Sequence, residues 1–107
     1  MPKARMRIFK AKGCGWCDKF DDSIKAVRPR FTEVDFSEHT IHDEKSAKEA
    51  TEELQKLGIP EDADIGTPFS LFFCDDKPLG YLSGYEDERE LNKILEAIDK
   101  KCKSGEF

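Results

Sequence analysis

The first part of the chain changes from strand-like to helix-like spacing of its apolar residues. The segment from Arg5 to Ala11 carries Met6, Ile8 and Phe9, and it predicts a buried strand. From Gly15 to about Arg28, apolar residues recur every three or four positions and form a single stripe, consisting of Cys17, Phe20, Ile24 and Val27. Pro29 lacks a backbone donor and ends this predicted helix.

The middle of the chain predicts a second strand and a second helix. The residues from Phe31 to Phe36 fall into two alternating sets, which predicts a strand whose apolar face carries Val34 and Phe36. A polar loop is expected at 37–42, followed by a helix from about Asp43 to Gly58. The stripe of this helix is thin, because two of its members are alanines: Ala47, Ala50, Leu54 and Leu57. We therefore expect it to be the most weakly held helix.

The last third predicts a hairpin followed by a long helix. After a loop at 59–66, the strongly apolar segment Phe69 to Cys74 predicts a third strand. Turn-forming residues at 75–78 precede a strand at 79–82, which returns antiparallel. A helix from Glu86 to about Lys103 presents one stripe: Leu91, Ile94, Leu95, Ile98 and Cys102. We expect residues 1–103 to form the domain and 104–107 to be a tail.

The order β-α-β-α-β-β-α predicts an α/β fold with a four-stranded mixed sheet and three flanking helices. Strand–helix–strand units favour parallel pairing, and the short turn at 75–78 favours an antiparallel hairpin. The 107 residues suffice for one domain with a modest core. A net charge of −5 disfavours general nucleic-acid binding, and no apolar run approaches the roughly 20 residues of a membrane span.

The chemistry of the chain is expected in the segment Cys14 to Cys17, with sequence Cys-Gly-Trp-Cys. Two cysteines at this spacing meet across the first turn of a helix, with Cys14 at the N-cap. The Cys14 sulfur then faces unpaired backbone N–H groups and the positive end of the helix dipole, which favour thiolate over thiol. Lys10 and Lys12 add positive charge nearby. This pattern predicts a nucleophilic Cys14 and a Cys17 that resolves the mixed disulfide.

A zinc site is the alternative interpretation of two cysteines at this spacing. A structural zinc site takes a second such pair or a pair of histidines, usually in loops. This chain offers isolated Cys74 and Cys102, plus His39 and His42, and its cysteine motif lies at a strand-to-helix junction. We expect Cys74 and Cys102 to be buried small apolar residues, with a regulatory thiol as the alternative. His39 and His42 are expected in a solvated loop, with a weak cation site as the alternative.

Three segments together resemble the thioredoxin superfamily. They are residues 9–17 around the cysteine motif, Gly66 to Phe69, and Ser83 to Tyr85 followed by the last helix. The resemblance implies a thioredoxin-like fold and a cis peptide bond before Pro68, beside the cysteines. It also implies that the backbone of Thr67 bonds to a substrate chain. The buried acid of thioredoxins, six residues before the first cysteine, is replaced by Ile8.

Within that superfamily the chain is similar to two branches. The motif resembles thioredoxins, whereas the outline, in which the first strand feeds the motif, resembles glutaredoxins. Glutaredoxins bind glutathione through a basic residue before the motif, the backbone beside the cis-proline, and a glycine turn ending in Asp. The candidate substrate-binding residues are Lys12 (with Lys10 as alternative), Gly15, Trp16, Thr67, Pro68, Gly84, Tyr85 and Asp87.

We therefore predict a monomeric, cytoplasmic dithiol–disulfide oxidoreductase that serves cell redox homeostasis and electron transport. It is expected to reduce disulfides of proteins or of glutathione, and to be reduced by a thioredoxin-type reductase or by glutathione. No tightly bound cofactor or metal is expected, and glutathione is a candidate co-substrate. The alternatives are a glutathione-dependent iron–sulfur or other metal-binding module, for which Gly15 leaves room, and a non-catalytic interaction domain.

Overall fold

Four strands and three α-helices follow one another in the predicted order in the computed structural model, which describes residues 3–60 and 66–105. The first half contains β1 (Ala4–Ala11), α1 (Gly15–Val27), a 3₁₀ turn (Arg28–Arg30) and β2 (Asp35–Ile41). The second half contains α2 (Glu44–Lys56), β3 (Phe69–Cys74), β4 (Lys77–Ser83) and α3 (Glu88–Ser104). The element order expected from the sequence is confirmed.

The sheet is mixed, as predicted, and its strand order is β2-β1-β3-β4. β1 pairs in parallel with β2 and antiparallel with β3, and β3 pairs antiparallel with β4. The register places Met6 of β1 between Phe36 of β2 and Phe72 of β3. β1 and β3 therefore form the centre of the sheet, and the end of β1 lies beside the start of β3.

The core has two parts, one on each face of the sheet. The larger part lies under α1 and α3 and includes Phe20, Ile24, Leu91 and Leu95, all of them buried. The smaller part, on the opposite face, contains Phe9, Ala50, Phe69, Leu71 and Phe73. Ala50 is the one buried residue within α2, which agrees with the thin stripe expected for this helix. The side chain of Asp43 caps α2 by accepting a hydrogen bond from the backbone N–H of Ser46, at 2.8 Å.

The prediction for β2 was wrong in its boundaries. The strand begins at Asp35 and continues through Ile41, so the segment expected to be a polar loop belongs mostly to the sheet. β2 is an edge strand, and its outward positions can be polar without breaking the ladder with β1. His39, expected in a solvated loop, stacks on Phe9 with ring centroids 5.1 Å apart. Burial, together with the charge of Arg7, lowers the pKa of His39.

The hairpin turn is shorter than predicted, because β4 begins at Lys77 and includes Pro78. Proline is tolerated there, since β4 is an edge strand and its pairing with β3 is irregular between Phe72 and Phe73. The turn itself is left to Asp75 and Asp76, and Asp75 adopts a positive φ of 53°. Of the loop expected at 59–66, positions 61–65 lie outside the described residues.

Cys74 and Cys102, which were expected to be buried small apolar residues or a regulatory thiol, are not free cysteines. Both side chains are buried, as expected, but they form a disulfide with a Cα–Cα distance of 5.4 Å. Cys74 ends β3, and Cys102 lies in the last turn of α3, which packs along the same face of the sheet. The fold brings together two residues that are 28 positions apart, and local spacing carries no sign of this.

None of the helices within the described residues has the length and apolar character needed to cross a membrane. α3 continues to Ser104, and Gly105 follows it with a positive φ of 76°. A positive φ suits glycine at a helix C-terminus, because a Cβ atom is unfavourable in that backbone conformation. The tail expected at 104–107 remains a prediction, as residues 106–107 lie outside the described part.

We predict that Leu95→Ala lowers the free energy of unfolding by about 2–5 kcal/mol, the usual cost of truncating a fully buried leucine. Leu95 is 0% exposed and lies in the core between α3 and the sheet. Urea denaturation followed by circular dichroism measures the change. Lys101→Ala, an exposed substitution on the same helix, is the control and should stay within about 0.5 kcal/mol of the parent. Equal stability of the two variants would contradict this description of the core.

Candidate active site

The two cysteines of the motif lie where β1 ends and α1 begins. Gly13, with a φ of +70°, turns the chain from the strand into the helix. Cys14 is the N-cap of α1 and has extended backbone angles. It therefore stands at the end of the helix where backbone N–H groups lack partners within the helix.

Cys14 and Cys17 are joined by a disulfide across the first turn of α1, with a Cα–Cα distance of 5.2 Å. The backbone N–H of Cys17 donates to the Cys14 sulfur at 3.1 Å. The two residues differ in exposure, because Cys17 is only 3% exposed whereas Cys14 is half-buried. Cys17 heads the buried stripe of α1, as the spacing predicted. An incoming disulfide can therefore reach Cys14 but not Cys17.

Thr67 packs directly against Cys14 from the start of β3. The carbonyl oxygen and the hydroxyl oxygen of Thr67 both lie 3.6 Å from the Cys14 sulfur. A disulfide sulfur carries no proton, so the hydroxyl is the group that can donate here and the carbonyl is a close contact. The Thr67–Pro68 peptide bond is cis, as the resemblance implied. The structure thus brings together the motif and the Gly66 to Phe69 segment.

Gly84 supports this arrangement from the end of β4. Its backbone N–H donates to the carbonyl oxygen of Pro68 at 2.8 Å, so the Pro68 carbonyl already has a partner. Gly84 has a φ of +86°, which suits glycine where the chain leaves the strand. The contact of the Thr67 backbone with a substrate chain, which the resemblance implies, remains a prediction.

An aromatic ledge forms the exposed side of the site and consists of Trp16 and Tyr85. The Trp16 side chain is 58% exposed, and its ring centroid lies 5.7 Å from that of Tyr85. Tyr85 in turn contacts the buried Phe20 edge-on, at 6.5 Å. The Lys19 ammonium lies 4.7 Å from the centroid of the Trp16 ring, a cation–π geometry. Sequence reasoning missed Lys19, although its position three residues after Trp16 on a helix signals this contact.

The two lysines before the motif have different surroundings. Lys10 reaches Asp21 of α1 at 3.1 Å and Glu38 of β2 at 3.4 Å. Burial alone would lower the pKa of Lys10, but the hydrogen bond to Asp21 and the attraction of both carboxylates raise it. Lys10 is thus partly buried and forms ion pairs within the chain, whereas Lys12, two residues before Cys14, is exposed. Of the two candidates, Lys12 is the exposed one, and its role in binding remains a prediction.

Asp87, a candidate ligand residue, is placed at the N-cap of α3. Its carboxylate accepts a hydrogen bond from the backbone N–H of Glu90 at 2.9 Å. This contact accounts for an acid at that position, and a role in binding remains a prediction. Ile8 is fully buried under α1. Within residues 3–60 and 66–105, no three of the histidine, cysteine and acidic side chains are grouped so that they can hold a metal ion.

No protein-family model and no curated protein sequence matches the chain. Solved structures do match. Thioredoxin O2 from Arabidopsis thaliana in the oxidized state superposes with a TM-score of 0.67 at 17% identity, covering 92% of this chain and 76% of that one. A thioredoxin from Nicotiana alata gives a TM-score of 0.67 at 22% identity, with the same coverage of 92% and 76%.

A thioredoxin from Fasciola hepatica is similar to the same extent. Its TM-score is 0.65 at 22% identity, and the match covers 91% of this chain and 82% of that one. At these identities the likeness establishes the fold, and the chain therefore has the thioredoxin fold. The fold class expected from the sequence is confirmed.

We predict that, once the motif disulfide is reduced, Cys14 reacts with iodoacetamide at least about tenfold faster than Cys17 at pH 6.5. Only Cys14 is accessible, and its sulfur accepts a backbone N–H bond that favours the thiolate. Peptide mapping by mass spectrometry measures both rates. The Cys17→Ser variant isolates the Cys14 reaction, and its half-maximal rate should fall below pH 8.5, the midpoint of ordinary cysteine. A midpoint at 8.5 would contradict the prediction.

Proposed function

We propose that the chain is a dithiol–disulfide oxidoreductase in which Cys14 is the nucleophile and Cys17 the resolving thiol. The observation that carries the proposal is the asymmetry of the pair. Cys14 is reachable at the helix N-terminus, whereas Cys17 is buried within bonding reach of it. The thioredoxin fold supports this assignment as an analogy, since the same fold can serve different functions.

The proposed reduction of a substrate consists of two exchange steps. The Cys14 thiolate attacks one sulfur of the substrate disulfide, whose S–S bond breaks while a Cys14–substrate bond forms. The released substrate sulfur leaves as a thiolate and takes up a proton. Cys17 then loses its proton and attacks the Cys14 sulfur, which frees the second substrate thiolate and closes the Cys14–Cys17 disulfide. Two electrons and two protons reach the substrate, and an external dithiol or two thiols must restore the enzyme.

Local structure favours the first step in particular. The backbone N–H of Cys17, 3.1 Å from the Cys14 sulfur, stabilises negative charge on that sulfur before it attacks the substrate disulfide. The backbone of Thr67, whose carbonyl oxygen lies 3.6 Å from the same sulfur, is the proposed alignment edge for an extended substrate segment. Trp16 provides an exposed apolar surface beside it.

We infer that the preferred substrates carry acidic groups next to the reacting disulfide. Lys12 and Lys19 are both exposed near Cys14, and within the described residues neither forms a salt bridge. Lys19 is held over the Trp16 ring, so its charge is directed to the surface that a substrate would cover. The exposed Asp18 partly offsets this charge. Glutathione carries carboxylates and fits the same preference, so proteins and glutathione mixed disulfides are both proposed substrates.

The physiological setting is part of the proposal. A thioredoxin-type reductase or glutathione is the expected reductant, and the monomeric state is that expected from the sequence. A cytoplasmic location also remains a prediction. The buried Cys74–Cys102 disulfide argues against it, because disulfides are rare in cytosolic proteins unless they are catalytic.

Substrate turnover provides the test of the proposed activity. We expect the chain to reduce insulin with a thioredoxin reductase, or a glutathione mixed disulfide with glutathione, and the faster system identifies the branch. Cys14→Ser should lose at least about 1,000-fold in rate, because it removes the attacking sulfur. Cys17→Ser should instead accumulate a mixed disulfide that mass spectrometry detects. If Cys14→Ser retained the parent's rate in both systems, the proposed reaction would be wrong.

The substrate preference has its own test. Two disulfide peptides that differ only in one residue beside the cysteine, Glu or Lys, are compared by kcat/KM. We expect Lys19→Glu to lower kcat/KM for the Glu peptide on the order of fivefold and to raise it for the Lys peptide, because the charge at the surface is reversed. High salt should shrink both changes.

Lys25→Glu is the matched control, since Lys25 is an exposed lysine on the same helix but farther from Cys14. The inferred preference is contradicted if Lys19→Glu and Lys25→Glu change kcat/KM by the same factor, for the Glu peptide and for the Lys peptide alike. That outcome would leave the oxidoreductase activity itself intact, since both peptides would still turn over.

A further inference from the structure

The second disulfide, between Cys74 and Cys102, lacks the two features of the first: a partly exposed cysteine and a position at a helix start. Both residues are 0% exposed and belong to the main core cluster, together with Ala4 and Leu95. The Cys102 sulfur lies 3.8 Å from the carbonyl oxygen of Phe73. No helix begins at either cysteine, because one ends a strand and the other lies near the end of α3.

The two disulfides lie at opposite ends of the sheet. Cys74 is the last residue of β3 and pairs with Ala4 at the start of β1, whereas Cys14 follows the end of β1 and touches Thr67 just before β3. Six strand residues at about 3.3 Å each separate the two ends by roughly 20 Å. Thiol–disulfide exchange requires direct attack of one sulfur on another. Cys14 and Cys17 therefore cannot exchange with Cys74–Cys102 inside one folded chain.

An external thiol meets a second obstacle. It must approach a sulfur directly, and both sulfurs belong to residues that are wholly covered in the folded state. Access therefore requires the end of α3 to detach, which is a local unfolding event. Such opening costs free energy here, because it removes Cys102 from the core. The pair should consequently remain oxidised under conditions that reduce the exposed Cys14 site.

The covalent link closes a loop that contains β4 and nearly all of α3. The cysteines are 28 positions apart, and closing a loop of this size restricts the unfolded chain considerably. α3 contributes Leu91 and Leu95 to the core and begins at Glu88, three residues after Tyr85, which contacts Trp16. The link therefore fixes the far end of the helix whose near end supports the aromatic ledge.

We propose that Cys74–Cys102 is a structural disulfide, which we call the staple, that stays closed under conditions that reduce Cys14–Cys17 and holds α3 on the sheet. Reduction of the staple takes two electrons and two protons from an external dithiol, which is itself converted into a disulfide. Closure is the reverse exchange with a small disulfide such as oxidised glutathione, which yields two glutathione thiols. The proposal does not depend on the catalytic function, because its tests measure thiols and stability.

Stepwise reduction of the parent protein is the first test. We expect dithiothreitol under native conditions to expose two thiols per chain, mapped to Cys14 and Cys17, and all four only after guanidinium chloride is added. Alkylation of Cys74 and Cys102 in the native protein should be at least about 100-fold slower than that of Cys14. Similar rates for all four cysteines would overturn the proposal. So would free thiols at Cys74 and Cys102 in protein that has been refolded from guanidinium chloride in the presence of oxidised glutathione.

The double variant Cys74→Ala with Cys102→Ala tests the stabilising role. Its Tm should be lower than that of the parent on the order of 10 °C, because the loop is no longer closed in the unfolded chain. Dithiothreitol that opens the staple during heating should lower the parent's Tm by a similar amount and leave the variant's nearly unchanged.

Cys14→Ser with Cys17→Ser is the matched control, because it removes the other disulfide and leaves the staple. Its Tm should still fall in dithiothreitol. A parent and a staple variant with the same Tm would contradict the structural role. If the staple variant does not fold, the thiol count on the parent still decides whether the staple is protected.

Discussion

The packing of α1 against the sheet is the contact on which the rest of the structure depends. Cys17, Phe20 and Ile24 are buried along one stripe of this helix, and that burial sets its height and rotation above β1 and β3. Because Cys14 precedes this stripe at the N-cap, the same packing places its sulfur 3.6 Å from Thr67. The hydrophobic contact that stabilises the domain therefore also positions the sulfur of the proposed nucleophile, and the two cannot vary independently.

Positive electrostatic potential near the Cys14 sulfur comes from two sources, which differ in how strongly solvent screens them. The backbone N–H of Cys17 is hydrogen-bonded to the Cys14 sulfur in a partly buried position, where water and salt screen it little. The ammonium groups of Lys12 and Lys19 are exposed and therefore screened, and the role proposed for them is to attract approaching substrates. Lys10 contributes little to this potential, since the carboxylates of Asp21 and Glu38 neutralise its charge. Reactivity should thus follow the helix start, and partner choice should follow the exposed lysines.

Spacing patterns predicted those features of the fold that depend on residues close together in the chain. The strand Phe69–Cys74, the stripe of α1 and the position of Cys14 at a helix start all follow from spacing within a few residues, and the structure agrees. The errors arose where long-range pairing decides. β2 includes polar residues such as His39 because β1 provides a ladder for them, and Lys10 is paired because β2 and α1 both approach it. The Cys74–Cys102 bond likewise depends on two elements that meet only in the finished fold.

The same covalent bond serves two opposite purposes in this fold, and exposure and position along a helix decide which. Cys14 lies at a helix start and is partly exposed, and both features support the proposal that its disulfide is broken and remade during turnover. Cys74 and Cys102 lack both features, and breaking their bond first requires separating α3 from the core. Protection of this kind is kinetic, so a closed staple can outlast a reducing environment that would not favour its formation. The compartment in which the chain folds therefore decides whether the staple closes. If α3 packs before an oxidant reaches these cysteines, burial protects the two thiols from oxidation as effectively as it protects the disulfide from reduction.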